Sequence, residues 1–251
     1  MVQFVHKPMD KTIFQPLYRQ AEGLLTQDLM AGEWPPGGLI PSEPELAKRF
    51  GVSQGTIRKA IEALRAEKLL VRRQGRGTYV ATHREDAAQF RFLKLRPDQR
   101  PPYSLRSHYL DCVRLKSPPD IATALELSVN ATIVRIRRVL LEKDLTGEKP
   151  LVYEEINLPG ARFKGLSAER LSAYQGPLYG LFETEFGVRM VGGEERLKAV
   201  IAPNEVSLAL GLTLGAPLLF VDRVTVSYES KPVEVRRAYY VSDGYHYASM
   251  L

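Results

Sequence analysis

Residues 42–80 read SEPELAKRFGVSQGTIRKAIEALRAEKLLVRRQGRGTYV, and this stretch decides the fold of the N-terminal third. Ser42 followed three residues later by Glu45 is a capping box, in which hydroxyl and carboxylate satisfy orphan N–H groups at a helix start. Pro44 falls in the first turn, where its missing donor costs little. The spacing predicts a helix over 43–50. Gly51 breaks it and Ser53 supplies a second N-cap, after which Ile57, Ala60, Ile61 and Leu64 set an apolar stripe at helical spacing. Two short helices joined by a tight glycine-containing turn make a helix-turn-helix. On the outer side of the second helix Gln54 and Arg58 lie four residues apart, beside Gly55 and Lys59, where they can reach base edges. Ser42, Ser53, Thr56 and the exposed N–H groups of the helix starts can bond phosphate. The alternative is a solvated face on a structural helical hairpin.

The segment after the second helix separates the two readings. Leu69–Arg73 and Thr78–Val80 are β-prone runs around Gln74-Gly75-Arg76-Gly77, a turn with two glycines free to take positive φ. A basic hairpin directly after a basic helix-turn-helix is a wing. Arg76 at its tip can enter a minor groove, and Gly75 and Gly77 let the backbone approach a phosphate closely. Upstream, Leu17, Ala21, Leu24, Leu25 and Leu29 form one apolar helix face that ends at Gly32, Pro35 and Pro36. Residues 48–78 hold nine Lys and Arg against two Asp and Glu, a local +7 in a chain of net +6. Charge concentrated in this way suits a polyanion, because neutralising phosphates releases condensed counterions.

The order PSE-x-ELA, FGVS-x-x-T-[VI]-R and RRQGRGT-[YF]-V, spread over some sixty residues, resembles the winged helix-turn-helix of the GntR family. Two positions where that family usually has Arg carry Pro44 and Gln54, whereas the matching Arg58 is retained. Arg pairs bidentately with guanine and Gln more naturally with adenine, so the operator is expected to differ from the common family site.

A chain of 251 residues with 44% hydrophobic and 25% charged residues accommodates two folded domains. It contains no long uncharged apolar run and no secretory signal pattern, and its lone Cys112 excludes an intrachain disulfide. A reducing cytoplasm without membrane attachment is the expectation. The domains are placed at 13–82 and 101–249, joined by a polar, proline-punctuated linker over 83–100. Strand-like runs at 107–115, 133–141, 151–158, 194–201, 218–228 and 233–241, with helical patterns at 120–127 and 203–210, make the second domain antiparallel and the chain α+β. No catalytic constellation emerges. His6, His83, His108 and His246 lack metal-ligand spacing, there is no GxSxG, and Gly192-Gly193 without a P-loop Lys reads as a turn. No metal or other cofactor is expected.

The order RIRRVLLEKDLTGEKPLVYEEINLPGARFKGL, GPLYGLFETEFG, ALGLTLGAPLLFVDRVTVSYESKPVEVRRAYY is similar to the ligand-sensing UTRA domain of the HutC subfamily of GntR regulators. The resemblance implies a chorismate-lyase-like antiparallel-sheet domain that binds a small-molecule effector and dimerises. By motif position Arg138, Glu154, Tyr179 and Glu234 would face the effector. The alternatives are an intramolecular salt-bridge network for Arg138, Glu154 and Glu234 and a core aromatic for Tyr179. A second Arg two residues after Arg138, which helps the family hold phosphorylated ligands, is here Leu140, so a phosphosugar effector does not follow. Arg135 or Arg137 could compensate only in a different strand register. The expected whole is a homodimeric, effector-responsive repressor of a near-palindromic double-stranded operator. The rival is a DNA-tethered enzyme with lyase-type chemistry in the second domain.

Overall fold

The computed structural model describes residues 15–82, 93–99, 105–144, 147–228 and 231–248. They fall into two compact units that divide between Thr82 and His83.

The first unit is built from α1 (Leu17–Met30), α2 (Glu43–Phe50), α3 (Gln54–Ala66) and a hairpin of β1 (Leu70–Arg73) and β2 (Gly77–Val80). The stripes read from sequence are the faces buried. Ala21, Leu25 and Leu29 of α1, Leu46 and Phe50 of α2, and Ile57, Ala60, Ile61 and Leu64 of α3 are all at most 6% exposed. Leu24 is only partly buried, and Leu17 is 44% exposed because it opens the first turn of α1. Gly51 takes φ +67 at the end of α2, the left-handed position that a glycine occupies without strain. The Glu45 carboxylate accepts from both the backbone N–H (2.8 Å) and the hydroxyl (2.6 Å) of Ser42, which closes the capping box. Ser53 caps α3 by accepting from the Thr56 N–H at 3.1 Å.

The second unit is a six-stranded antiparallel sheet in the order β4-β5-β6-β9-β8-β7. Its strands are β4 (Leu105–Lys116), β5 (Thr132–Asp144), β6 (Gly147–Pro159), β7 (Gly192–Ile201), β8 (Pro217–Val226) and β9 (Pro232–Tyr240). Because strand side chains alternate, the sheet has two differently covered faces. One face packs on α4 (Pro119–Ala124) through Ile121, Ile133 and Val235, and on α7 (Asn204–Leu210) through Val206, Leu210, Val139 and Leu218. The other face is covered in two patches. At one end lie α5 (Ala168–Ala173) and α6 (Leu178–Phe186), with Phe163, Leu171 and Phe182 against Ile136, Ile156 and Leu158. At the other end a two-stranded ribbon of β3 (Leu95–Pro97) and β10 (Tyr245–Tyr247) packs Leu95 and Tyr245 against Leu140, Val152 and Tyr240.

That ribbon corrects the linker reading. Residues 83–92 and Arg100 lie outside the described residues, but 93–99 are part of the second unit, with Leu93 and Leu95 buried to 6% and 1%. The intervening Lys94 and Arg96 make a strand that alternates inside and out look like polar connector. Gly192-Gly193 is likewise not a turn. Both residues open β7, and a β-carbon on Gly193 would stand 2.7 Å from the Val224 carbonyl oxygen, so close strand approach is the reason for glycine there.

Candidate DNA interface and effector site

In the first unit the starts of α2 and α3 and the wing border one open cleft of about 650 Å³, lined among others by Ser42, Gln54, Arg58, Gly75, Arg76 and Gly77. Six of the ten residues expected to meet DNA are thus brought together. Ser53, Gly55, Thr56 and Lys59 lie on the same first turns of α3 but do not line the cleft.

A residue not singled out from sequence organises this surface. Glu43, in the first turn of α2, accepts from Arg58 Nε at 3.0 Å and Nη2 at 2.9 Å, and from the Gln54 side-chain amide at 3.4 Å. The Arg58 hydrogen bonds hold the Glu43 carboxyl below its ordinary range. Arg58 remains 54% exposed, so its guanidinium is aimed but still available to a base. The signal lies in the PSE motif, and its meaning needs the tertiary approach of the two helices.

The wing tip is fixed by its own side chains. Gly75 and Gly77 have φ +69 and +105, Tyr79 donates from its hydroxyl to the Arg76 carbonyl at 3.1 Å, and the Arg73 guanidinium lies 4.8 Å from the Tyr79 ring centre. Arg76 itself is exposed.

In the second unit Arg138, Glu154, Tyr179 and Glu234 all reach the sheet face that carries the α5/α6 and β3/β10 patches, and they share one hydrogen-bonded network centred on Arg236. Arg138 Nε meets Glu154 at 2.6 Å, and its Nη1 donates to the Ser107 hydroxyl at 2.9 Å. Arg236 donates to Glu154 at 2.9 Å and to Glu234 at 2.8 and 3.1 Å. The hydroxyls of Tyr179 (2.7 Å) and Thr225 (3.1 Å) complete Glu234. Motif position alone does not reveal Arg236, because it does not place β9 beside β6. Tyr179 packs near Phe182 as a core aromatic does, and its hydroxyl donates to Glu234.

The network is buried, with Glu154 at 1% and Glu234 at 0% exposure. Burial alone would raise the Glu154 carboxyl, but the charges of Arg138 and Arg236 outweigh it and bring it down to about 2. Burial pushes the Tyr179 phenol up to about 12, so at neutral pH it is a donor. The register pairs Arg138 with Glu154 and Arg137 with Glu155. Arg135 and Arg137 therefore point to the opposite face, where both meet Asp111, and Leu140 lies in the apolar patch under β3. Neither arginine replaces a second cation beside Arg138.

Residues 17–80 match the family described as bacterial regulatory proteins, gntR family, and residues 102–246 match the UTRA domain. The chain belongs to the GntR family. It is a DNA-binding transcription regulator with a UTRA effector domain, not an enzyme. It is 32% identical over 228 residues to the HTH-type transcriptional regulator Rv0792c of Mycobacterium tuberculosis, covering 88% of this chain and 80% of the relative. To the HTH-type transcriptional repressor NagR of Bacillus subtilis it is 28% identical over 240 residues, covering 94% and 96%. Among solved structures, the ligand-binding domain of a GntR-family protein from Bordetella bronchiseptica is 46% identical with a TM-score of 0.61, covering 64% of this chain and 97% of that one. In this GntR chain the helix-turn-helix precedes the antiparallel effector domain. Among the described residues no helix is long and apolar enough to cross a membrane, and no group of His, Cys, Asp and Glu is placed to hold a metal ion.

Proposed function

We propose that this GntR regulator is a cytoplasmic homodimeric repressor that binds a near-palindromic operator and releases it when a small polar or anionic metabolite binds beside Arg138, Glu154, Tyr179 and Glu234. The DNA-binding domain spans 13–82 and the effector domain 101–249, with 93–99 added to the latter and the connector reduced to 83–92. The observation that carries the reading is the buried network around Arg236. Charges taken out of water on a sheet face are costly to keep, and replacing them by apolar residues would commonly be neutral or stabilising. Their presence between two apolar patches is what a polar ligand site requires. Relatives named as repressors, NagR of Bacillus subtilis and the mannosyl-D-glycerate system repressor MngR of Escherichia coli, support repression as the output.

Two heads on one operator must match successive major grooves about 34 to 36 Å apart, so a ligand-induced change in their placement prevents simultaneous docking. The ligand must also favour the arrangement that cannot dock. The test is a selection of genomic fragments by the full-length protein. A recovered site with two half-sites about one helical turn apart supports the proposal, and a single asymmetric site opposes the dimer. Release of that site by a dialysable metabolite extract, lost in Arg138→Ala with DNA binding retained, supports the effector site.

A further inference from the structure

Two strands of three residues each are marginal as a ribbon, so what ties β3 and β10 to the sheet decides whether they stay there. Their register pairs Tyr245 with Pro97, His246 with Arg96 and Tyr247 with Leu95. Backbone bonds extend it at both ends, from the Asp98 N–H to the Gly244 carbonyl at 3.1 Å and from the Ala248 N–H to the Lys94 carbonyl at 2.8 Å. Strand alternation turns Tyr245 and Tyr247 inward and leaves His246 outside, where it meets Asp98 at 2.7 Å. Each tyrosine ends on a carboxylate. Tyr245 donates to the fully buried Glu142 of β5 at 2.6 Å, and Tyr247 donates to Glu195 of β7. Because β6, β9 and β8 separate those two strands, β10 is a strap bolted to the sheet on both sides of its middle. The two bolts differ. Glu142 stands opposite Leu105 and Lys149, neither of them in the Arg236 network. Glu195 also accepts from Lys94 Nζ at 2.7 Å and from Arg223 Nε at 2.6 Å, and Arg223 pairs directly with Arg236 across β8 and β9. One contiguous arm therefore runs from the centre of the network to Lys94, which precedes β3 in the segment that follows the 83–92 connector.

We propose that β10 is a strap with one fixed and one yielding bolt: Tyr245 on Glu142 anchors it, and the Tyr247–Glu195–Lys94 arm changes its hold with the state of the Arg236 network, passing that state to the segment next to the connector. This rests on the effector-site reading above and adds the route by which the site is felt where the chain leaves for the DNA-binding unit. Short, locally held elements such as this ribbon open at a lower free energy than the sheet beneath them, which suits them to change hold while the domain stays folded. Contiguity supplies the route, and a difference between two states makes it a coupling.

Deuterium exchange of the full-length protein, with and without saturating operator from the genomic selection, tests this without any metabolite. In wild type the amides of 94–98 and 245–248 are expected to change their exchange at least about fivefold on operator binding, the low end of ordinary coupling. Tyr247→Phe abolishes that change, whereas Tyr245→Phe, which also removes one hydrogen bond of the strap, retains it. A merely structural ribbon responds alike to the two substitutions. That result, or exchange indifferent to operator in wild type, overturns the strap. Should Tyr247→Phe fail to fold, Lys94→Gln removes the other contact of the same arm and is read in its place. Operator release by a metabolite extract that Arg138→Ala abolishes but Tyr247→Phe leaves unchanged would retain the effector site and overturn the strap alone.

Discussion

Glu43 of α2 grips Arg58 of α3 through two hydrogen bonds of 3.0 and 2.9 Å, so the residue best placed to read a base is held by an acid from the neighbouring helix. Arg58→Ala is expected to weaken specific operator binding roughly 5- to 150-fold with folding nearly intact, since it removes an exposed contact and no packing. Fluorescence anisotropy on the selected operator measures this, and unchanged affinity would remove Arg58 from the recognition surface. Glu43→Gln leaves Arg58 unaimed and the surface more positive. Non-specific DNA binding should rise while the ratio of specific to non-specific affinity falls. A preserved ratio would mean that Glu43 does not position Arg58.

The wing makes a different contribution. Arg76→Ala should weaken binding to all sequences, with the preference at the α3 half-site retained, because a wing tip reads groove shape and backbone. Its salt slope should fall by about one unit if Arg76 meets a phosphate. A changed base preference within the half-site would contradict the assignment.

Gly77 is required twice, by its φ of +105 and by the space around it. A β-carbon there would stand 2.7 Å from Leu39 Cδ1. Gly77→Ala is expected to destabilise the first unit by about 1 to 3 kcal/mol and to lower operator affinity with it. Urea unfolding of the full-length protein checks the first part, and an unaltered midpoint would refute the strain.

The Arg236 network predicts an acid dependence. Glu154 titrates near 2 in the folded protein against an ordinary 4.5. Because the folded value is depressed, its stabilisation is complete above about pH 4.5 and is lost as pH falls from there toward 2. Glu154→Gln should cost about 3 to 5 kcal/mol near neutrality by leaving buried arginines without an anion. The gap in melting temperature between wild type and variant should narrow steadily as pH falls from 5 to 3 on that linkage. A gap independent of pH would show that Glu154 is not held ionised.

Much of this was legible because the physics was local. The caps at Ser42 and Ser53, the glycines of the wing and the 3.6-residue stripes each lie within a few residues of one another, and the structure places α2 and α3 where the spacing puts them. The six sheet strands were legible from β-prone runs. α6 was not read as a helix, since every residue from Leu178 to Glu183 is buried and no polar stripe reveals the period. β3 and β10 are three residues each, too short for alternation to stand out. Glu43 and Arg236 were missed for a common reason, that they act on partners from other elements. The fixed register also settled what sequence left open, sending Arg135 and Arg137 to Asp111 on the far face.

The central claim is that one small molecule and one operator compete through a single chain, and reciprocity gives its most direct measurement. Once a releasing metabolite is isolated from the extract, its affinity for the full-length protein is determined by titration calorimetry with and without saturating operator. Coupling of the usual size predicts that operator weakens metabolite binding about 5- to 150-fold, and that the metabolite weakens operator binding by the same factor. Equal metabolite affinities with and without operator would contradict the account.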